Sequence, residues 1–175
     1  GDNAQQTFAT SPLRLRKVAR AVARATEQLK NLTVSEGGSK TNNGIAYYGT
    51  GSIAGEFINA SGAEAFGGVS DIFVDGSGLG ITNTGAIKNA GTFTFGGTLN
   101  NSGSITGDGL IVFKRAGLGN DTFTNAGQIK TGSLEADNIK YVQTAGSLSS
   151  ASGWFSNSTV DLTGGTIEHA VLGSG

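Results

Sequence analysis

Strand-forming apolar residues fall at every sixth position from Ile81: Ile87, Phe93, Leu99, Ile105 and Ile111 follow it. Glycines keep the same beat in a second register, at Gly85, Gly91, Gly97, Gly103 and Gly109. Ser, Thr and Asn fill the positions between, and the punctuation is by Gly and Asn rather than by helix caps. That pattern predicts short strands joined by tight corners. Three six-residue units per turn would stack residues 18 apart, giving columns of Ile87, Ile105 and Phe123, of Phe93, Ile111 and Ile129, and of Gly91, Gly109 and Gly127. The beat then lengthens to 19 residues, with Gly127, Gly146 and Gly165 in one series and Ile129, Leu148 and Ile167 in another. FTNAGQI, VQTAGSL and DLTGGTI align over their whole length.

Repeats of this size cannot bury an apolar face alone, but they can bury it against copies of themselves, which is the logic of a solenoid. The predicted fold is all-β: a parallel β-solenoid of 18–19-residue coils over residues 41–175, cut short at its C-terminal end. Each coil would advance by one inter-strand spacing, about 4.8 Å. Glycines supply the corners, and Asn89 and Asn125, each two residues before such a Gly, read as corner residues whose amides bond along the stack. The period blurs between residues 40 and 80, where FINASGAEAF resembles a diverged coil.

A different pattern precedes the repeats. In SPLRLRKVARAVARATEQLKNL, Leu15, Val18, Val22, Ala25, Leu29 and Leu32 recur at spacings of three and four, one stripe of an α-helix. Ser11 suits the N-cap and Pro12 the first helical position. Residues 11–34 are therefore predicted as an amphipathic basic helix after a flexible stretch of residues 1–10. Its stripe either caps or flanks the solenoid or pairs with another copy. Neither lipid-anchoring aromatics on the stripe nor stacking aromatics on the basic face are present, so membrane and nucleic-acid partners are not expected.

Composition narrows the chemistry. The 175 residues include 30 Gly, one Pro and no Cys, so neither a disulfide framework nor a thiolate metal site is available. Residues 1–40 hold seven Lys or Arg against three acids, and the rest hold five against ten, so a basic head precedes an acidic body. No run is long or apolar enough to cross a bilayer as a helix. His169 is the sole histidine, and Asp71 and Asp75 flank the IFV run as solvated edge residues, so no catalytic residue is assigned and no enzyme is expected. GLGNDTF matches one unit of a calcium-binding nonapeptide repeat, with Asp121 the weak candidate ligand; one unit cannot complete such a site. No cofactor is otherwise expected. Trp154 and Phe155, in SGWFSN, break the small-residue texture and are either a core plug or a pair that stacks on sugar rings.

LNNSGSITG, ITNTGAIKN and FTNAGQIKT resemble the degenerate repeats of filamentous-haemagglutinin-type exoproteins and autotransporter passengers, secreted bacterial β-helices that project from the outer membrane. The resemblance covers roughly residues 57–167. It implies a secreted or cell-surface adhesin or stalk segment whose partners are glycans or proteins of a host or neighbouring cell. A self-assembling filament subunit with solenoid ends stacked head to tail is the alternative; a glycan-acting β-helix enzyme stands third.

Overall fold

The computed structural model describes residues 30–68, 80–115, 122–168 and 171–172. It is an all-β parallel solenoid of about 6 turns and about 19 residues per coil. Each turn lays one strand on each of three faces. The first face carries β1 (Lys30–Val34), the end of β3 (Ile45–Ile53), β6 (Gly80–Asn83), β9 (Thr98–Asn101), β11 (Thr122–Asn125), β13 (Lys140–Gln143) and β15 (Thr159–Leu162). On the second are β2 (Ser39–Asn42), β4 (Glu56–Asn59), β7 (Ala86–Asn89), the first halves of β10 (Ser104–Lys114), β12 (Gln128–Asp137) and β14 (Ser147–Ser156), and β16 (Thr166–Glu168). The third holds the start of β3, β5 (Glu64–Gly68), β8 (Thr92–Gly96), the second halves of β10, β12 and β14, and β17 (Val171–Leu172). Every pairing is parallel, between a strand and its counterpart one turn on.

The described residues contain no helix. The stripe positions Leu15, Val18, Val22, Ala25 and Leu29 lie outside them. The last of the series, Leu32, departs from the expected helix: it sits in β1, fully buried and in register with Gly51. Leu32 continues the three-residue step from Leu29, but Leu32 and Val34 also alternate with Asn31 and Thr33, and pairing with β3 selects the two-residue period. Among the described residues the solenoid accordingly already includes Lys30–Val34, ahead of the expected residue 41.

Two predicted columns are re-sorted. On the second face Phe57, Ile87, Ile105, Ile129, Leu148 and Ile167 stack in sequence. Phe93 and Ile111 stack on the third face, but their next partner is Leu134, not Ile129. Phe123 stands between Leu99 and Tyr141 on the first face, not under Ile105. The cause is the connection from Lys114 to Thr122, which stretches the span from Asn101 to its partner Asn125 to 24 residues. The connection from Gly68 to Gly80 stretches the span from Asn59 to Asn89 to 30. Both long connections leave the third face and enter the first. Glycines re-sort likewise: Gly91 lies next to Gly109, whereas Gly127 follows Gly103 and leads to Gly146 and Gly165.

The core is one cluster running the length of the stack. Ring contacts link Tyr48, Phe57, Phe93, Phe95, Phe113, Tyr141 and Phe155, with Phe93 and Phe95 parallel at 4.2 Å. Two amide ladders hold the corners of the second face. At its start, Asn83 Nδ2 donates to Asn101 Oδ1 (2.8 Å), Asn101 Nδ2 to Asn125 Oδ1 (2.8 Å) and Asn125 Nδ2 to Gln143 Oε1 (3.1 Å). At its end, Asn42 donates to Asn59 and Asn59 to Asn89, both at 2.9 Å. The same side chains also donate to corner carbonyls, such as Asn125 Nδ2 to Ser147 O (2.9 Å), so polar groups that the sharp bend removes from the ladder are satisfied. Between the ladders the backbones approach so closely that a Cβ on Gly127 would sit 2.0 Å from Gly103 O. Only glycine fits there.

The ladder makes a testable distinction between neighbours. Asn101→Ala removes an acceptor for Asn83 and a donor to Asn125 inside the core and is expected to cost about 1–3 kcal/mol. Asn100→Ala, on the exposed side of the same strand, is expected to change stability by less than about 0.5 kcal/mol. Urea denaturation of both variants checks this, and equal losses would refute the ladder's role.

Tyr141 provides a second test. Burial pushes its phenol well above the ordinary value of 10.0, outweighing the Asn125 amide, which lowers it. The folded chain therefore keeps a proton that the unfolded chain releases as pH rises through 10, so stability falls from that point upward. Tyr141→Phe is expected to blunt the alkaline loss of denaturation midpoint, read by urea titrations at neutral pH and above pH 10.

Candidate functional site

Strand alternation separates the two large aromatics of SGWFSN. Phe155 points inward, 2% exposed, against Tyr141 at 5.4 Å. Trp154 points outward and is 40% exposed. The two do not form one aromatic platform: a period of two sends adjacent side chains to opposite faces. Only Trp154 is available to a ligand.

Three successive turns of the third face build its surroundings. Val112, Glu135 and Trp154 are in register in one outward column, and Lys114, Asp137 and Ser156 form the next. Neighbouring members of a column are about 4.8 Å apart along the solenoid axis. Val112, Lys114, Glu135, Asp137 and Trp154, with Arg115 and Asn138, line a cleft of about 370 Å³, inside the range of small-ligand sites. Glu135, Asp137, Asn138 and Arg115 are exposed on its walls. Asn157, one turn on, donates from Nδ2 to Asp137 Oδ1 at 3.2 Å and fixes one carboxylate oxygen. Asn138 and Asn157 both take left-handed backbone conformations, φ 54° and 49°, at the corner that closes the cleft. Asn tolerates that region better than other side chains, and its N–H at 138 bonds Ser156 O at 2.9 Å.

None of Lys114, Arg115, Glu135, Asp137 or Asn138 stands out in the sequence. They fall in two short segments, 114–115 and 135–138, that converge only through the register. The available signal is the alternation Glu135-Ala136-Asp137, which puts two carboxylates on the outer side of one strand once the phase is known.

A second cleft, of about 520 Å³, lies at the corner between the second and third faces, with Asp108, Lys130, Thr131, Ser149 and Ser150 among its walls. Its buried hydroxyls are committed to the backbone. Thr131 Oγ1 donates to Gly109 O (2.9 Å) or Ser133 O (3.1 Å), and Ser150 Oγ to Ser152 O (2.8 Å). They continue, in hydroxyl form, the corner role that Asn89 plays earlier.

Asp121, Asp71, Asp75 and His169 lie outside the described residues. Among the described residues no three His, Cys, Asp or Glu side chains gather as a metal site, and no helix is long and apolar enough to cross a membrane. The chain matches no family model, no curated protein and no solved structure. Its chemistry is read from the cleft itself.

The inside–outside split predicts unequal effects of truncation. Phe155→Ala is expected to cost about 3–5 kcal/mol of unfolding free energy, while Trp154→Ala, whose ring is 40% exposed, costs clearly less, read by urea denaturation. Comparable losses would place both rings in the core.

Proposed function

We propose that this β-solenoid is a structural and adhesive rod, working outside the cell or at its surface, that binds through an extended face without catalysis. The observation that carries the reading is Trp154: a large, half-open indole on a rigid strand, over a cleft assembled from three turns. Exposed aromatics on a scaffold are costly to solubility and are the residues on which binding energy concentrates. Backbone ladders along every face supply the stiffness. The likeness of the repeats to those of haemagglutinin-type exoproteins supports the placement at a bacterial surface, with a glycan or protein of another cell as partner.

A filament reading draws support from β15. On this strand, the last described one of the first face, Leu162 is 56% exposed and Val160 is partly so. Against it, among the described residues, Lys40 on β2 occupies the inward register position beside Phe57, with its ammonium over the Tyr48 ring at 5.2 Å. A charge at an inward position is a device that blocks edge-to-edge pairing.

The test is retention of labelled protein on immobilised polysaccharides, matrix proteins and intact cells. Binding to one of these surfaces, lost in Trp154→Ala and kept in Asn100→Ala on the first face, is the expected result. Retention that ignores Trp154, or release of reducing ends from a retained polysaccharide, would overturn the adhesive, non-catalytic reading.

A further inference from the structure

The cleft's own chemistry selects a ligand class. Resting on the adhesive reading above, we infer that the Trp154 cleft binds a neutral pyranose ring, within a polysaccharide laid along the solenoid axis.

Three observations carry this. The indole of Trp154 offers an open apolar face on a strand whose neighbours are fixed by parallel pairing on β12. A pyranose presents axial C–H groups on one face, which suits stacking on an aromatic ring. Around that platform the polar groups are mixed: Glu135 and Asp137 can accept hydrogen bonds, Arg115 can donate them, and Asn138 can do both. Sugar hydroxyls are donors and acceptors together, so each kind of wall finds a partner.

The charges also exclude. Two carboxylates and two cations share the cleft, so a polyanion meets Glu135 and Asp137, and a polycation meets Lys114 and Arg115. Nucleic acid requires an excess of cations along the backbone path, together with several stacking rings. Here Trp154 is the single exposed ring of the cleft.

The geometry gives the polymer its direction. Val112, Glu135 and Trp154 repeat along the axis at one inter-strand spacing. A chain running along the strands would leave the third face at the next corner, within one strand length, whereas one running along the axis, from strand to strand, stays on the column. Asp137 is pre-set by Asn157, which lowers the ordering cost of binding.

Trp154 is the only tryptophan in the chain, so its fluorescence reports the cleft directly. The full chain is titrated with neutral gluco-, manno- and galacto-oligosaccharides, and separately with heparin and oligolysine. The expected result is a saturable blue shift with at least one neutral series and none with the charged polymers. Calorimetry with that series should show affinity about tenfold weaker in Trp154→Ala, with Trp154→Phe between. A saturable shift with heparin or oligolysine and none with neutral sugars would overturn the assignment, as would unchanged affinity in Trp154→Ala. Silence with every neutral series also overturns it. If surface retention in the adhesion assay still depends on Trp154, the adhesive reading stands and only the sugar class fails.

Discussion

The solenoid depends on one demand: each turn must offer its backbone to the next at a single inter-strand spacing, at the corners as well as along the strands. Along the strands ordinary parallel ladders meet it. At the corners the chain bends away from the ladder, and the amides of Asn83, Asn101 and Asn125 replace the missing partners. The same demand brings carbonyls of one turn against the Cα of the next. Gly103, Gly127 and Gly146 follow one another at the same corner because a side chain there would overlap a carbonyl oxygen.

Inward, this stacking turns scattered apolar residues into continuous columns and a chain of touching rings. Outward, it turns residues 112, 135 and 154 into near neighbours. The Trp154 cleft therefore inherits the rigidity of the ladders beneath it. Its walls are held by three turns, each fixed by hydrogen bonds to the others. Inter-turn ion pairs such as Lys88–Glu56 (2.7 Å) decorate the second face, but exposed pairs of this kind contribute little to stability.

Much of this architecture is legible in the sequence, and its failures share a cause. Apolar alternation, glycine corners and Asn amides identify a parallel solenoid before any coordinate is known. Which residue stacks on which is harder, because paired residues lie from 17 to 30 apart in different turns. Three of the spans in the Asn ladders, 18, 24 and 30, are multiples of six. An added unit thus leaves the beat of the pattern intact while moving Phe123 to a different face from Ile105. The hydrophobic periodicity records the length of one strand and corner, and it cannot count how many separate two stacked partners. The cleft is hidden for the same reason: without the register, Glu135 and Trp154 are nineteen positions apart and unrelated. At Leu32 the ambiguity is of another kind, since a short apolar series fits either period and tertiary pairing decides.

The two stretched spans have a consequence for how such a molecule diversifies. Both open at the passage from the third face to the first, and on either side of each the pairing resumes in register. That passage is a graft point: length enters there without disturbing the strands above or below. The two other corners, held by amides and touching backbones, change by only one or two residues from turn to turn. A lineage built on this plan is free to vary what it carries at one address, turn by turn, while the shaft that carries it stays the same.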